Sequence, residues 1–166
     1  MCYAIGNSAL GHVLVASSAR GVASILIGDE PATVIEELQD SFPDAELRAV
    51  DNDPLVDRVV TLIENPTMDI DLSLDIRGTA FQQKVWVALR AIPAGVTTTY
   101  AALADRVGDP KAVRAVVSAC AANKLAVAIP CHRVLRTDGL LSGYRWGIQR
   151  KRALIDREVA PARMTA

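Results

Sequence analysis

The apolar pattern of this 166-residue chain changes period once, at Arg77-Gly78, and that change limits what it can fold into. Before it, CYAIGN, GHVLVAS and GVASILIG are short, β-branched or alternating, and punctuated by Gly, Asn and Ser, the pattern of a strand meander. Asp29-Glu30-Pro31 opens a helix to about Gln39 with Ile35 and Leu38 on its apolar face, and Phe42-Pro43 ends it. Asp53-Pro54 is a second start, an N-cap followed by Pro at the first helical position. Leu55, Val56, Val59, Val60 and Ile63 follow at helical spacing up to Asn65-Pro66, and Ile70 to Ile76 alternates as a last strand. After Arg77 the spacing is helical. Thr79 precedes FQQKVWVALRAI, with Phe81, Val85, Trp86 and Leu89 on one side. Thr99 caps TYAALADRV, Asp109-Pro110 caps KAVRAVVSACAA, and IQRKRALIDREV closes the chain before a tail, APARMTA.

The expected architecture is an α/β unit over residues 1–76, a small antiparallel sheet with helices of RNase H-like type. A mostly helical, winged helix-turn-helix unit over 77–166 follows it. Charge divides at the same place. Residues 1–76 hold 3 Lys+Arg against 14 Asp+Glu, a net −11, whereas 77–166 hold 15 against 5, a net +10. Two halves that attract each other would account for this. So would a second half that faces a polyanion, since Lys and Arg on phosphates drive nucleic-acid affinity. With 51% hydrophobic and 22% charged residues the composition is globular. No apolar run approaches the roughly 18 residues of a membrane span, and the N-terminus lacks a basic n-region, so a cytoplasmic protein is expected.

The cysteines are Cys2, Cys120 and Cys131, an odd, irregular set that makes neither a disulfide framework nor, with His12 and His132, a zinc site; no metal is expected. Cys120 lies among helical alanines and reads as packing, and Cys2 as an edge residue. Pro130-Cys131-His132-Arg133 carries the chemistry. A thiol attacks only as thiolate, so a base or cation must stand near it. His132 is the base, Arg133 adds positive field, and Glu158 is a candidate to orient the imidazole in a Cys–His–Glu relay. Adjacent side chains diverge on extended backbone, so a bridging water suits Cys131 and His132 better than direct contact. A buried cysteine acting as a small hydrophobe is the alternative.

The helix-turn-helix just before this thiol is unusual. Its second helix offers Ala112, Val113, Ala115, Val116, Val117, Ala119, Ala121 and Ala122, with one long cation, Arg114. A major-groove reader shows Arg, Asn and Gln to base edges; a smooth helix with one wedge suits the minor groove. Equally, Ala and Val could pack a core and Arg114 be merely solvated.

With these residues in view, the chain resembles the O6-alkylguanine-DNA alkyltransferase family and, within it, the C-terminal alkyltransferase domain of bacterial Ada adaptive-response proteins. FQQKVW, PKAVRAV, ACAANK, PCHRV, SGYRWG and RKRALIDRE carry the likeness, strongly from Arg77 to Glu158 and more weakly over the first unit. The resemblance implies an alkyl-accepting Cys131, a general base in His132 acting through a water, and Glu158 completing the relay. It implies Asn123 tying the helix-turn-helix to the active-site turn. Tyr100 would hydrogen-bond the flipped base and crowd its 3′ phosphate, and Arg114 would be the finger that fills the vacated stack. The backbone of Val134, Tyr144 and Arg145 would read the guanine edge, with Lys151 on the closing helix and Arg133 near the DNA. Arg145 stands where some relatives have a small hydroxyl residue, so only its backbone amide carries over.

The implied activity is direct-reversal repair of O6-methylguanine, and of O4-methylthymine, in flipped-out nucleotides. It is a single turnover without cofactor, by a monomer on double-stranded DNA. The zinc-binding and transcription-factor modules of Ada are expected to be absent, and with them phosphotriester repair and promoter activation. Two rivals remain: a cysteine hydrolase using Cys131 and His132, and a non-enzymatic DNA-binding module.

Overall fold

The computed structural model describes residues 1–68, 70–141 and 143–165, with side chains through Val159. Contacts divide the chain into two units: Met1–Ile76 with Lys124–Ala128, and Arg77–Asn123 with Ile129–Ala166.

The first unit begins with β1 (Cys2–Ser8), β2 (Gly11–Ser18) and β3 (Gly21–Gly28). Their tight connections are closed by Ser8 and Ser18, whose hydroxyls accept from the Leu10 and Arg20 amides at 3.1 Å each. Gly21 at φ +142° has a backbone that L side chains rarely adopt, and a Cβ there would meet the Ser73 carbonyl oxygen at 2.4 Å. α1 (Pro31–Ser41) and α2 (Pro54–Glu64) pack on the sheet. Asp53 caps α2 by accepting from the Leu55 amide at 3.0 Å, and α2 buries Val56, Val59 and Ile63.

The sheet is mixed rather than antiparallel. Its order is β3-β2-β1-β4, and β4 (Arg48–Ala49) runs parallel to β1 because α1 carries the chain back across the sheet before it returns. The strand expected over 70–76 is reduced to one bridge, Leu74 beside Val22, fixed by Val22 N–H to Ser73 O and Asp75 N–H to Val22 O, both 2.8 Å. Residues 124–126 pair further along the same edge through Ile25 N–H to Lys124 O at 2.8 Å and Ala126 N–H to Ile25 O at 3.0 Å. Two short segments thus cover an edge of β3 that would otherwise be open. Val127, at φ +69°, turns this crossover in a conformation that costs a β-branched residue about 1–3 kcal/mol.

The second unit holds α3 (Ala80–Arg90), β5 (Thr98–Thr99), α4 (Tyr100–Arg106), α5 (Val113–Ala121), a 3₁₀ turn (Cys131–Arg133), β6 (Val134–Leu135) and α6 (Ile148–Thr165). Thr79 and Gln82 form a capping box at the start of α3. α5 starts later than the sequence suggests: Asp109-Pro110 makes a turn, with Ala112 N–H to Asp109 O at 3.0 Å, and the helix begins only at Val113. α3 packs on α5, and the Trp86 indole donates to Ala119 O at 2.9 Å. β5 and β6 form a two-stranded parallel ladder, Thr98 opposite Val134 and Thr99 opposite Leu135. Ser142 of the SGYRWG motif lies outside the described residues, as do the side chains of the expected tail, whose backbone continues α6 as far as Thr165. Among the described residues no helix is long and apolar enough to cross a membrane, and no group of three His, Cys, Asp or Glu is placed to hold a metal ion.

Candidate active site

Pro130 precedes the 3₁₀ turn that sets Cys131 and His132 inside the second unit. Asn123, fully buried just past the end of α5, donates through Nδ2 to Ile129 O at 2.9 Å and to Cys131 Sγ at 3.2 Å. One side chain therefore fixes both the approach to the turn and the sulfur. Cys131 has no hydrogen bond to His132 among the described residues.

His132, fully buried, shares a hydrogen with Glu158 across 2.6 Å between Nε2 and Oε1. Burial alone would raise the Glu158 carboxyl, but hydrogen bonds from His132 and Arg133 hold it below its ordinary value. The carboxylate is thus ionised and accepts, which places the imidazole proton on Nε2. Nδ1 is left buried without a partner among the described residues, a lone pair ready to take a proton. Burial lowers the His132 pKa, partly offset by Glu158, so the ring is neutral at neutral pH, as a base must be.

Arg133 belongs behind the site. It donates to Glu158 from Nε at 3.1 and 3.0 Å and from Nη2 at 2.8 Å, and from Nη1 to Ile92 O at 2.6 Å. Its side chain is 11% exposed and holds the Glu158 carboxylate. The cations acting on Cys131 are Lys151 and Arg145. Even so, burial dominates and pushes the resting Cys131 thiol up, with the Asn123 bond, Lys151 and Arg145 opposing it. The neighbouring Cys120 is pushed up to about 12 by burial and by Cys131.

A cavity of about 520 Å³ opens on the sulfur, walled by Tyr100, Val117, Cys120, Cys131, Arg136, Tyr144 and Arg145 among others, all of the second unit. Such a volume suits one small organic ligand. Tyr144 packs edge-on to His132 and to Trp146, and its hydroxyl is buried without a partner among the described residues. Burial keeps that phenol protonated, a donor. Sequence alone points only to the backbone of Tyr144, and gives Arg136 and Cys120 no part in the site. Lys151 is fully buried with Nζ 5.9 Å from the Tyr100 ring centroid. Val134 is buried in β6. Arg114 is exposed on α5, on the side opposite the buried Val116, Ala119 and Cys120.

Fold and site define a protein with a buried, hydrogen-bonded cysteine, an imidazole backed by a carboxylate, and a ligand-sized cavity bordered by the second of two short helices. The family described as 6-O-methylguanine DNA methyltransferase, DNA binding domain, matches residues 80–160. Ada of Escherichia coli K12, a bifunctional transcriptional activator/DNA repair enzyme, is 55% identical over 163 residues, covering 94% of this chain and 45% of Ada. A methylated-DNA–protein-cysteine methyltransferase of Mycobacterium bovis is 46% identical over 112 residues, 66% of this chain and 68% of that protein. The solved structure of Mycobacterium tuberculosis OGT in complex with DNA matches with a TM-score of 0.81 at 32% identity, over 96% of this chain and 94% of that one. The chain belongs to the methylated-DNA–protein-cysteine methyltransferase family. It spans about half the length of the Ada proteins it matches.

Proposed function

We propose that this chain removes the alkyl group from O6-alkylated guanine in double-stranded DNA and keeps it as a thioether on Cys131. The observation that carries the reading is the sulfur's setting, held by an amide donor at 3.2 Å in a residue that lines a cavity of about 520 Å³, wide enough to admit a purine. The O6 carbon is out of reach inside a stacked duplex, so the nucleotide must be extruded, at a cost of a few kcal/mol. Exposed Arg114 on a helix of small residues is suited to fill the gap in the stack, and the basic second unit to hold phosphates.

In the cavity the Cys131 proton passes to His132 Nδ1, through a water, and Glu158 stabilises the imidazolium that results. The thiolate attacks the alkyl carbon in line: the S–C bond forms, the C–O6 bond breaks, and guanine leaves as an anion. A hydroxyl hydrogen bond to that base, from Tyr100 or the unpartnered Tyr144, lowers the barrier. The thioether has no leaving group, so each chain acts once, needs no cofactor and works as a monomer where the DNA is. O4-methylthymine fits the same scheme. The first unit's sheet and helices agree with an RNase H-like scaffold, and α4, α5 and the β5–β6 ladder with a winged helix-turn-helix.

The test is a duplex carrying O6-methylguanine with a labelled methyl. The reading predicts one label per chain, abolished by Cys131→Ala. A hydrolase would release label with turnover, and a simple binding module would bind the duplex and transfer nothing.

A further inference from the structure

Resting on that reading, we propose that Arg145 is a positioning residue for the thiol, working through its side chain rather than its backbone alone. Its Nη1 donates to the Asn123 carbonyl at 3.1 Å, while the Asn123 amide donates to Cys131 Sγ at 3.2 Å. The guanidinium thus holds the one residue that holds the sulfur. It also sits just past the C-terminal end of α5, where the negative end of the helix dipole favours a cation. Its carbon stays 5.6 Å from the Trp146 ring centre, which keeps the planar group in place, and the side chain lines the same cavity as the sulfur.

Among the described residues, the charged and titratable groups around Cys131 include Arg136, which lines the same cavity and pairs with Asp138 at 3.0 Å. Cys120 faces Cys131 from α5 and Tyr100 stands on α4 at the cavity wall. His132 and Arg133 follow on the turn. Lys151 and Glu158 stand on α6, with Tyr144 and Arg145 on the loop before it. Arg133 is spent on Glu158, and Glu158 on His132 and Arg133. Lys151 and Arg145 are the cations that favour sulfur as an anion, and Arg145 donates to Asn123 O.

The experiment measures the thiol without needing DNA. Iodoacetamide capture at Cys131 is followed against pH by peptide mass spectrometry, in parallel with single-turnover methyl transfer, for wild type, Arg145→Met and Arg145→Lys. Arg145→Met should move the capture midpoint up by about one pH unit and slow transfer about tenfold at neutral pH, with recovery as pH rises. Arg145→Lys, which keeps the charge, should restore most of both. Unchanged capture with slowed transfer would overturn the proposal, since Arg145 would then act on DNA. A fall in transfer that no pH recovers, with thermal melting lowered in Arg145→Met and Arg145→Lys alike, would also overturn it as a plain folding effect. A capture midpoint that moves as expected while wild type transfers no methyl would leave the proposal standing and refute the proposed function instead.

Discussion

Replacing Asn123 with Ala separates two jobs done by one amide. Its bond to Ile129 O, at 2.9 Å, serves the fold, and its bond to Cys131 Sγ, at 3.2 Å, serves the ionised sulfur. The Ile129 carbonyl keeps the Cys131 amide as donor at 2.8 Å, so losing the Asn123 donor costs about 0.5–1.5 kcal/mol of stability. A hydrogen bond to a charged group is worth about 1.5–3 kcal/mol, and at about 1.36 kcal/mol per pKa unit its loss raises the thiol by about one to two units. The resting thiol is already pushed up by burial, so the reaction runs on a small thiolate fraction. Each further unit therefore removes about tenfold of the rate throughout the neutral range. Asn123→Ala should transfer methyl about 10- to 100-fold more slowly at neutral pH and regain part of the deficit in alkaline buffer. The assay is single-turnover transfer against pH, with urea unfolding beside it to count the structural loss. A rate within twofold of wild type, or a deficit equal at all pH values, would refute the reasoning.

Glu158→Gln leaves Arg133 short of its counter-charge in a nearly closed setting and should destabilise by about 3–5 kcal/mol at neutral pH in chemical unfolding. The Glu158 carboxyl is held below its ordinary 4.5, so its contribution is whole above that value and is lost as pH falls through the lower folded one. The gap between variant and wild type should therefore close in acid, and a constant gap would argue against the ion pair as its source. Arg114→Ala, at an exposed position, should leave thermal stability within about 0.5 kcal/mol yet slow repair in duplex DNA far more than reaction with free O6-methylguanine; equal losses on both would remove its role as a wedge. Gly21→Ala combines a left-handed backbone with a Cβ driven onto Ser73 O, and should cost about 2 kcal/mol or more in unfolding experiments, while methyl transfer by the folded fraction is unchanged.

Local chemistry was readable in the residues, and long-range satisfaction was not. Asp53-Pro54 and Thr79 announce their helices because a cap needs only neighbours in sequence. Cys131, His132 and Glu158 could be picked out because their chemistry is unusual for their places. The Arg133 partner lies 25 residues away, and only folding reveals that the guanidinium is bonded to a carboxylate. A neighbouring base is visible in sequence, whereas the burial that pushes the Cys131 thiol up is a product of the fold. The parallel β4 and the single bridge left of the 70–76 strand follow from where the chain returns to the sheet, which alternation cannot encode. The late start of α5 reflects a Pro-centred turn that reads equally well as a cap.

The central claim is that one sulfur receives the alkyl group and keeps it. After reaction with excess O6-methylguanine duplex, peptide mapping by mass spectrometry should find S-methylcysteine at Cys131 in every chain and unmodified thiols at Cys2 and Cys120. Methyl at either of those cysteines, or a repaired duplex with Cys131 unaltered, would contradict the account.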